Sequence, residues 1–126
     1  LRITCIENGE LDQAMMLGLT PLAWSPLGGG RLAKPVTAQE LAVAAELDRV
    51  AAKQGVSRTV AAYSWLMAHP AGIVPIIGSQ QPERIAEGVA AMQVRWTRTD
   101  WYAVLVAARR AGAVRPASRS GHRRPR

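Results

Sequence analysis

Two short apolar segments constrain the fold of this chain most strongly. They read TPLAW at residues 20–24 and IVPII at residues 73–77, and two amphipathic stretches separate them. Continuous apolar strands that alternate with helices pair in parallel and are covered by helices. We therefore expect an α/β fold in which both segments are fully buried parallel strands, although Pro75 lacks the amide that a central strand donates. The opening LRITCI at residues 1–6 is a candidate third strand.

Five helices are expected around these strands, because each stretch repeats apolar residues at helical spacing between recognisable end signals. Asn8 caps the first, Thr37 and Glu40 form a capping box for the second, and Ser57 caps the third. The predicted helices cover residues 8–17, 37–55, 57–70, 82–92 and 97–112. The second helix should bury Leu41, Ala44, Leu47, Val50 and Ala51. Two clear strands cannot close a sheet, so the chain is either a small α/β domain or one end of a larger barrel or doubly wound sheet.

The net charge of +7 is concentrated at one end of the chain. Basic and acidic residues balance up to residue 108, and residues 109–126 add seven arginines and no acid. We interpret residues 1–112 as one domain and residues 113–126 as a disordered Arg-rich tail, because that tail has almost no apolar periodicity. Such a tail could contact nucleic acid through phosphates, or it could be the product of out-of-frame translation.

The number of cysteines and the hydropathy of the chain bear on the cellular compartment that we expect for it. Cys5 is the single cysteine, which favours a reducing cytoplasm, and no apolar stretch has the length of a membrane span. The first residue is Leu1 rather than methionine, from which we expect a fragment of a longer protein.

Both apolar segments lead into polar, glycine-bearing loops, SPLGGGRL after Trp24 and GSQQPERI after Ile77. The carboxyl ends of parallel strands meet at one edge of a sheet, where barrel enzymes bind phosphate groups. Glycines can adopt positive φ and let the backbone approach a phosphate oxygen. Arg84 falls in the first turn of a predicted helix, whose amino end also attracts anions. The two loops together predict a phosphate-binding site.

These motifs resemble a known family. AWSPLGGGRL followed by IVPIIGSQQPERIAEGV is similar to the C-terminal part of the aldo-keto reductases, closest to the bacterial branch with Ser-Pro-Leu-Gly-Gly-Gly-Arg-Leu after the seventh strand. The resemblance covers roughly residues 1–110. It implies the last two or three strands, with their helices, of a (β/α)8 TIM barrel that reduces small-molecule carbonyl substrates with NADPH. The family's catalytic Asp, Tyr, Lys and His come from earlier strands, so this segment alone should be inactive.

The resemblance also implies roles for the first loop. Trp24 takes the aromatic position whose face stacks on the nicotinamide. Ser25 and Leu27, with the amides near Gly28 and Gly29, would line the pyrophosphate of NADP(H).

In the second loop, the resemblance assigns Ser79 and Arg84 to the 2′-phosphate of the cofactor and Glu87 to the adenine amine. Gly78 stands where many members have a lysine against that phosphate. Gly88 stands where many have an asparagine that contacts adenine. Preference for NADP over NAD would then rest mainly on Arg84.

Two alternatives remain open from the sequence. LDRVAAKQGVSRTVAAYSWL resembles a helix-turn-helix at Ala51, Gly55 and Ser57, and with a basic tail it could bind DNA. Ala61 and Ser64 stand where that motif prefers bulky apolar residues, so nucleic acid is the weaker partner. The segment could also be a non-functional gene fragment. Neither the substrate nor the oligomeric state can be read from the sequence.

Overall fold

The computed structural model describes residues 3–110, and the predicted tail at residues 113–126 lies outside them. Helices and short strands alternate along the chain, as the sequence predicts. In chain order they are α1 (Thr4–Glu7), α2 (Glu10–Met16), β1 (Leu22–Ala23), α3 (Ala38–Gln54), α4 (Arg58–Met67), β2 (Val74–Pro75), α5 (Pro82–Ala90), a 3₁₀ turn (Ala91–Gln93) and α6 (Arg98–Arg110).

The two strands form a parallel pair, which confirms the predicted pairing. Leu22 lies opposite Val74, and Ala23 lies opposite Pro75. The amide of Val74 donates to the carbonyl of Pro21, and the amide of Ile76 donates to that of Ala23, each at 2.9 Å. Because hydrogen-bonding groups alternate between the two edges of a strand, the missing amide of Pro75 would have pointed away from β1. Pro75 therefore costs this ladder no hydrogen bond.

The predicted third strand is wrong. Residues of LRITCI instead form α1, in which the amide of Ile6 donates to the carbonyl of Ile3 and that of Asn8 donates to Thr4, both at 2.9 Å. Ile3 and Ile6 are three residues apart, which places them on one helical face, and both pack against the main core. The apolar spacing of this segment is thus helical, and its weak alternation was misleading.

The expectation of fully buried strands is also wrong. Leu22 is 64% exposed and Trp24 81% exposed, and their neighbours Val74 and Ile76 are 47% and 46% exposed. These four side chains, the open sheet face, alternate with inward-facing residues such as Ala23 and Ile73, which pack beneath α2. Within residues 3–110 the sheet has helices on one side only, so its second face stays in contact with solvent.

The main core lies between α3, α4 and α6. Trp65 and Trp101 stack with ring centroids 4.9 Å apart, and each indole Nε1 donates to the backbone carbonyl of the other residue at 3.0 Å. This reciprocal contact clamps α4 to α6. On α3 the predicted burial of Leu41 is wrong, because its side chain is exposed while Val43 is buried. The buried residues of α3 are Glu40, Val43, Ala44, Leu47, Val50 and Ala51.

The predicted helix ends are confirmed at α3 and α4. Thr37 Oγ1 accepts from the amide of Glu40, and the Glu40 carboxylate accepts from the amide of Thr37. These two hydrogen bonds form the capping box. Ser57 Oγ accepts from the amide of Val60 at 3.2 Å. At α2 the cap is Gly9 rather than Asn8, whose Oδ1 accepts from the amide of Glu10 instead.

The packing of α4 does not support the helix-turn-helix alternative. Residues 60–65 of this helix are all buried, so it has no face that could enter a DNA groove. Its cation, Arg58, donates through Nε and Nη2 to the Asp48 carboxylate at 2.7 and 2.5 Å, and through Nη1 to the carbonyl of Leu32. The side chain that would have to contact phosphate is therefore bonded within the protein.

Candidate functional site

The two candidate loops emerge side by side. The parallel register pairs Leu22 with Val74, so the segments after Trp24 and after Ile77 leave the sheet at the same edge. The sequence placed the loops at strand ends, and the observed pairing brings those ends together.

Positive φ angles shape the first loop. Gly28, Gly29 and Gly30 have φ of 64°, 67° and 85°, which confirms the conformation expected of these glycines. Ser25 has a φ of 50°, an uncommon value for a residue with a side chain. Backbone strain of this kind is concentrated at binding and active sites.

The amides of this loop divide into bonded and open groups. The amide of Gly28 donates to the carbonyl of Ser25 at 2.7 Å, which closes a tight turn. Across residues 3–110, no acceptor lies within hydrogen-bonding reach of the amides of Leu27, Gly29 and Gly30. Successive open amides in a turn with positive φ can surround an anion. Of the two amides that the family resemblance assigns to the pyrophosphate, that of Gly29 is open and that of Gly28 is not.

Arg31 supports the loop through a hydrogen bond, a role that was not predicted from the sequence. Its Nε donates to the carbonyl of Gly28 at 2.8 Å and lies 3.9 Å from the Glu40 carboxylate. That carboxylate accepts from the amides of Val36 and Thr37, and these hydrogen bonds lower the pKa of Glu40. The signal was present in the sequence as a cation directly after three glycines.

A groove of about 830 Å³ runs from this loop along β1 to α2. We call it the α2–β1 groove. The loop forms one end of it, and apolar side chains of α1, α2 and β2 form the rest. Residues that line it include Cys5, Ile6, Leu11, Ala14, Leu22, Trp24, Ser25, Gly28, Gly29, Arg31, Leu66 and Ile73. Trp24 stands at its loop end with most of the indole exposed, so a flat ring could stack on it.

The second loop presents Gly78, Ser79 and Arg84. Ser79 Oγ accepts from the amide of Gln81 at 3.2 Å, so the hydroxyl proton remains able to donate. Arg84 lies exposed in the first turn of α5, two residues after the Pro82 with which that helix begins. A side chain added at Gly78 would meet nothing within 4 Å, so the loop has room for a larger residue there.

Glu87 and Gly88 lie further along α5. Glu87 Oε1 accepts from the Ser57 hydroxyl at 2.7 Å, which ties α5 to the start of α4. A Cβ at Gly88 would clash with Cδ1 of Ile77. Gly88 therefore leaves room for the Ile77 side chain, which would have to shift to admit a larger residue at position 88.

Two titratable side chains outside the loops, those of His69 and Tyr63, have structural surroundings. His69 Nδ1 accepts from the amide of Ala71 at 3.1 Å, and burial lowers the pKa of this imidazole. Tyr63 is a core residue, and burial raises the pKa of its phenol. The described part of the chain contains no cluster of His, Cys, Asp and Glu able to hold a metal ion. None of its helices is long and apolar enough to cross a bilayer.

Comparisons with a family model and with individual proteins point to one family. Residues 7–106 match the Aldo/keto reductase family. The chain is 81% identical over 109 residues to a 6-dehydroglucose reductase of Novosphingobium aromaticivorans, a match that covers 86% of this chain and 36% of that protein. It is 39% identical over 95 residues to a 6-dehydroglucose reductase of Agrobacterium fabrum, covering 75% and 31%. The oxidoreductase YdhF of Escherichia coli is 37% identical over 106 residues, covering 80% and 34%.

The chain thus spans about a third of the length of these curated relatives. The family match extends from α1 into α6 and includes both candidate loops. On this evidence the chain belongs to the aldo/keto reductase family.

Proposed function

We propose that this chain is the cofactor-binding, C-terminal part of an NADP(H)-dependent aldo-keto reductase barrel. The observation that carries the proposal is the parallel pairing of β1 and β2, because it brings both glycine-bearing loops to one edge. Open amides at Gly29 and Gly30 suit the pyrophosphate, and the exposed face of Trp24 suits the nicotinamide.

The second loop would hold the adenosine end of the cofactor. Arg84 and the Ser79 hydroxyl are placed to donate to the 2′-phosphate that distinguishes NADP(H) from NAD(H). Glu87 would accept from the adenine amine, although in this structure it accepts from Ser57. That hydrogen bond would hold its carboxylate in a fixed position at the start of α4.

The whole protein would reduce a small carbonyl compound, and 6-dehydroglucose is the substrate we propose, since two relatives are 6-dehydroglucose reductases. NADPH would supply the hydride. The family's catalytic residues come from strands that this segment does not include, so residues 1–112 would bind cofactor without reducing a substrate. The exposed sheet face around Leu22 and Val74 supports the fragment interpretation, because apolar strands are normally covered. The single cysteine supports a cytoplasmic location.

The test uses a hybrid barrel, in which the part of the Novosphingobium reductase that precedes the shared region is joined to this chain. Hydrogen bonds to charged groups contribute about 1.5–3 kcal/mol, and each 1.4 kcal/mol changes affinity about tenfold. Arg84→Ala should therefore weaken NADPH roughly ten- to a hundredfold and leave NADH nearly unchanged. Titration of each nucleotide by fluorescence gives the two dissociation constants.

Arg95→Ala is the matched control, because Arg95 is an exposed arginine outside both loops. It should change neither dissociation constant. Equal weakening of NADPH and NADH by Arg84→Ala would contradict the phosphate assignment. A hybrid barrel that binds neither nucleotide would contradict the proposed function as a whole.

A further inference from the structure

Residues 69–72, which we call the His69 turn, connect the end of α4 to the start of β2. The backbone carbonyl of His69 accepts from the amide of Gly72 at 3.0 Å, and its ring Nδ1 accepts from the amide of Ala71 at 3.1 Å. Pro70, which follows His69, has no amide to donate. A single histidine therefore accepts both of the backbone hydrogen bonds that close this turn.

The hydrogen bond to the ring fixes the protonation state of His69. A backbone amide can only donate, so Nδ1 must carry a lone pair, and the proton of the neutral ring must lie on Nε2. Protonation of Nδ1 converts this acceptor into a donor, and the hydrogen bond from Ala71 is then lost. Ala71 is buried, so its amide would be left without a partner away from solvent. The His69 turn is thus complete only with a neutral imidazole.

Groups on α6 and α2 surround the imidazole. The Trp101 ring on α6, which does not titrate, lies 5.8 Å from it between centroids at an interplanar angle of 49°. From α2, the carboxylate of Asp12 favours the protonated form of His69. Burial acts in the opposite direction and is the larger effect, so the pKa of His69 lies below its ordinary value. The surroundings therefore favour the neutral ring that the turn requires.

We propose that the His69 turn is an acid-sensitive latch, closed by the neutral imidazole and opened when that ring is protonated. The turn leads into β2, and Ala71 and Ile73 pack with Leu11 of α2, so opening would loosen the start of β2 against that helix. The unfolded imidazole titrates near pH ~6.5, so this contribution to stability is complete above that pH and is lost as pH falls toward the folded pKa. The latch requires no nucleotide, since every contact that forms it lies within this chain.

Amide hydrogen exchange in the hybrid barrel tests the latch. After correction for intrinsic rates, the protection of the Ala71 amide should fall roughly two- to twelvefold from about pH 8 to about pH 5, as expected for the loss of one hydrogen bond. The Gly72 amide is the internal reference, because the carbonyl to which it donates does not titrate. Relative to Gly72, an Ala71 protection that stays constant over this range would overturn the proposal.

The matched variant is His69→Asn. An asparagine side-chain carbonyl can accept from the amide two residues later, and it does not titrate in this range. In this variant the protection of Ala71 relative to Gly72 should not change with pH, and a fall equal to that of the wild type would overturn the proposal.

Ring-nitrogen NMR of the wild-type hybrid barrel gives a second measurement that does not depend on how the variant folds. The neutral ring of His69 should carry its proton on Nε2, and its pKa should lie below about 6.5. A proton on Nδ1 of the neutral ring, or a pKa at or above that value, would overturn the proposal. Both measurements are made without nucleotide, so their outcome is independent of whether the proposed function holds.

Discussion

The substitution Gly78→Lys should strengthen the binding of NADPH but not that of NADH. Many family members carry a lysine against the 2′-phosphate at the position of Gly78. Here a Cβ at that position meets nothing within 4 Å, and the backbone φ is not positive, so the substitution fits without strain. Gly78→Lys would place an ammonium in the same loop as Ser79 and Arg84, the two proposed phosphate ligands.

The expected gain in NADPH affinity is limited because residue 78 is exposed to solvent. Gly78 lies in an exposed loop, so solvent screening makes the contact between Lys and the 2′-phosphate weaker than a buried charge-assisted hydrogen bond. A contribution of about 0.5–1.5 kcal/mol corresponds to roughly two- to twelvefold tighter NADPH binding. NADH lacks the 2′-phosphate and should bind as before. The gain should also shrink as ionic strength rises, because exposed charges are screened.

The assay is a titration of the hybrid barrel with each nucleotide at two salt concentrations. Gly78→Gln is the matched control, since it adds a long polar side chain without a charge. An equal gain for NADPH and NADH, or an equal gain from Gly78→Gln, would contradict this prediction. It would mean that the second loop does not contact the 2′-phosphate.

Three further results are expected. Trp101→Phe removes the indole donor to the carbonyl of Trp65 and should destabilise the hybrid barrel by about 1–3 kcal/mol in urea unfolding. An unchanged urea midpoint would mean that this hydrogen bond contributes little to stability. The hydrogen bond from Arg49 lowers the pKa of Asp100 in the folded protein. The ionised Asp100 therefore adds to the free energy of unfolding above its unfolded pKa of about 3.9, and this stabilisation is lost as pH falls through its folded pKa. The stability difference between wild type and Asp100→Asn should therefore narrow on acidification, and a constant difference would contradict this. The isolated 126-residue chain should self-associate through the open sheet face, and a concentration-independent monomer in light scattering would contradict that expectation.

Local signals in the sequence predicted much of the fold. The capping box of Thr37 and Glu40 and the cap at Ser57 depend on neighbouring residues, and both were found as predicted. The positive φ of the three glycines is permitted by their lack of a side chain. Parallel pairing followed from two apolar strands separated by helices.

Features that depend on distant contacts were not predicted. The strands read as buried because apolar side chains occupy both faces, but only one face is covered within the described residues. The segment LRITCI resembled an alternating strand, whereas the packing of Ile3 and Ile6 against the core favours a helix. Arg31 was missed because its role depends on the carbonyl of Gly28, which a glycine-centred reading does not consider. The contact between Gly88 and Ile77 likewise depends on how α5 packs against the segment that follows β2.

The most direct test of the central claim is a crystal structure of the hybrid barrel with NADP⁺. We expect pyrophosphate oxygens within about 3 Å of the amides of Gly29 and Gly30, and the 2′-phosphate within the same distance of Arg84. We also expect the nicotinamide against the face of Trp24. A cofactor bound away from both loops, or bound with its 2′-phosphate far from Arg84, would contradict the claim that this segment supplies the cofactor site.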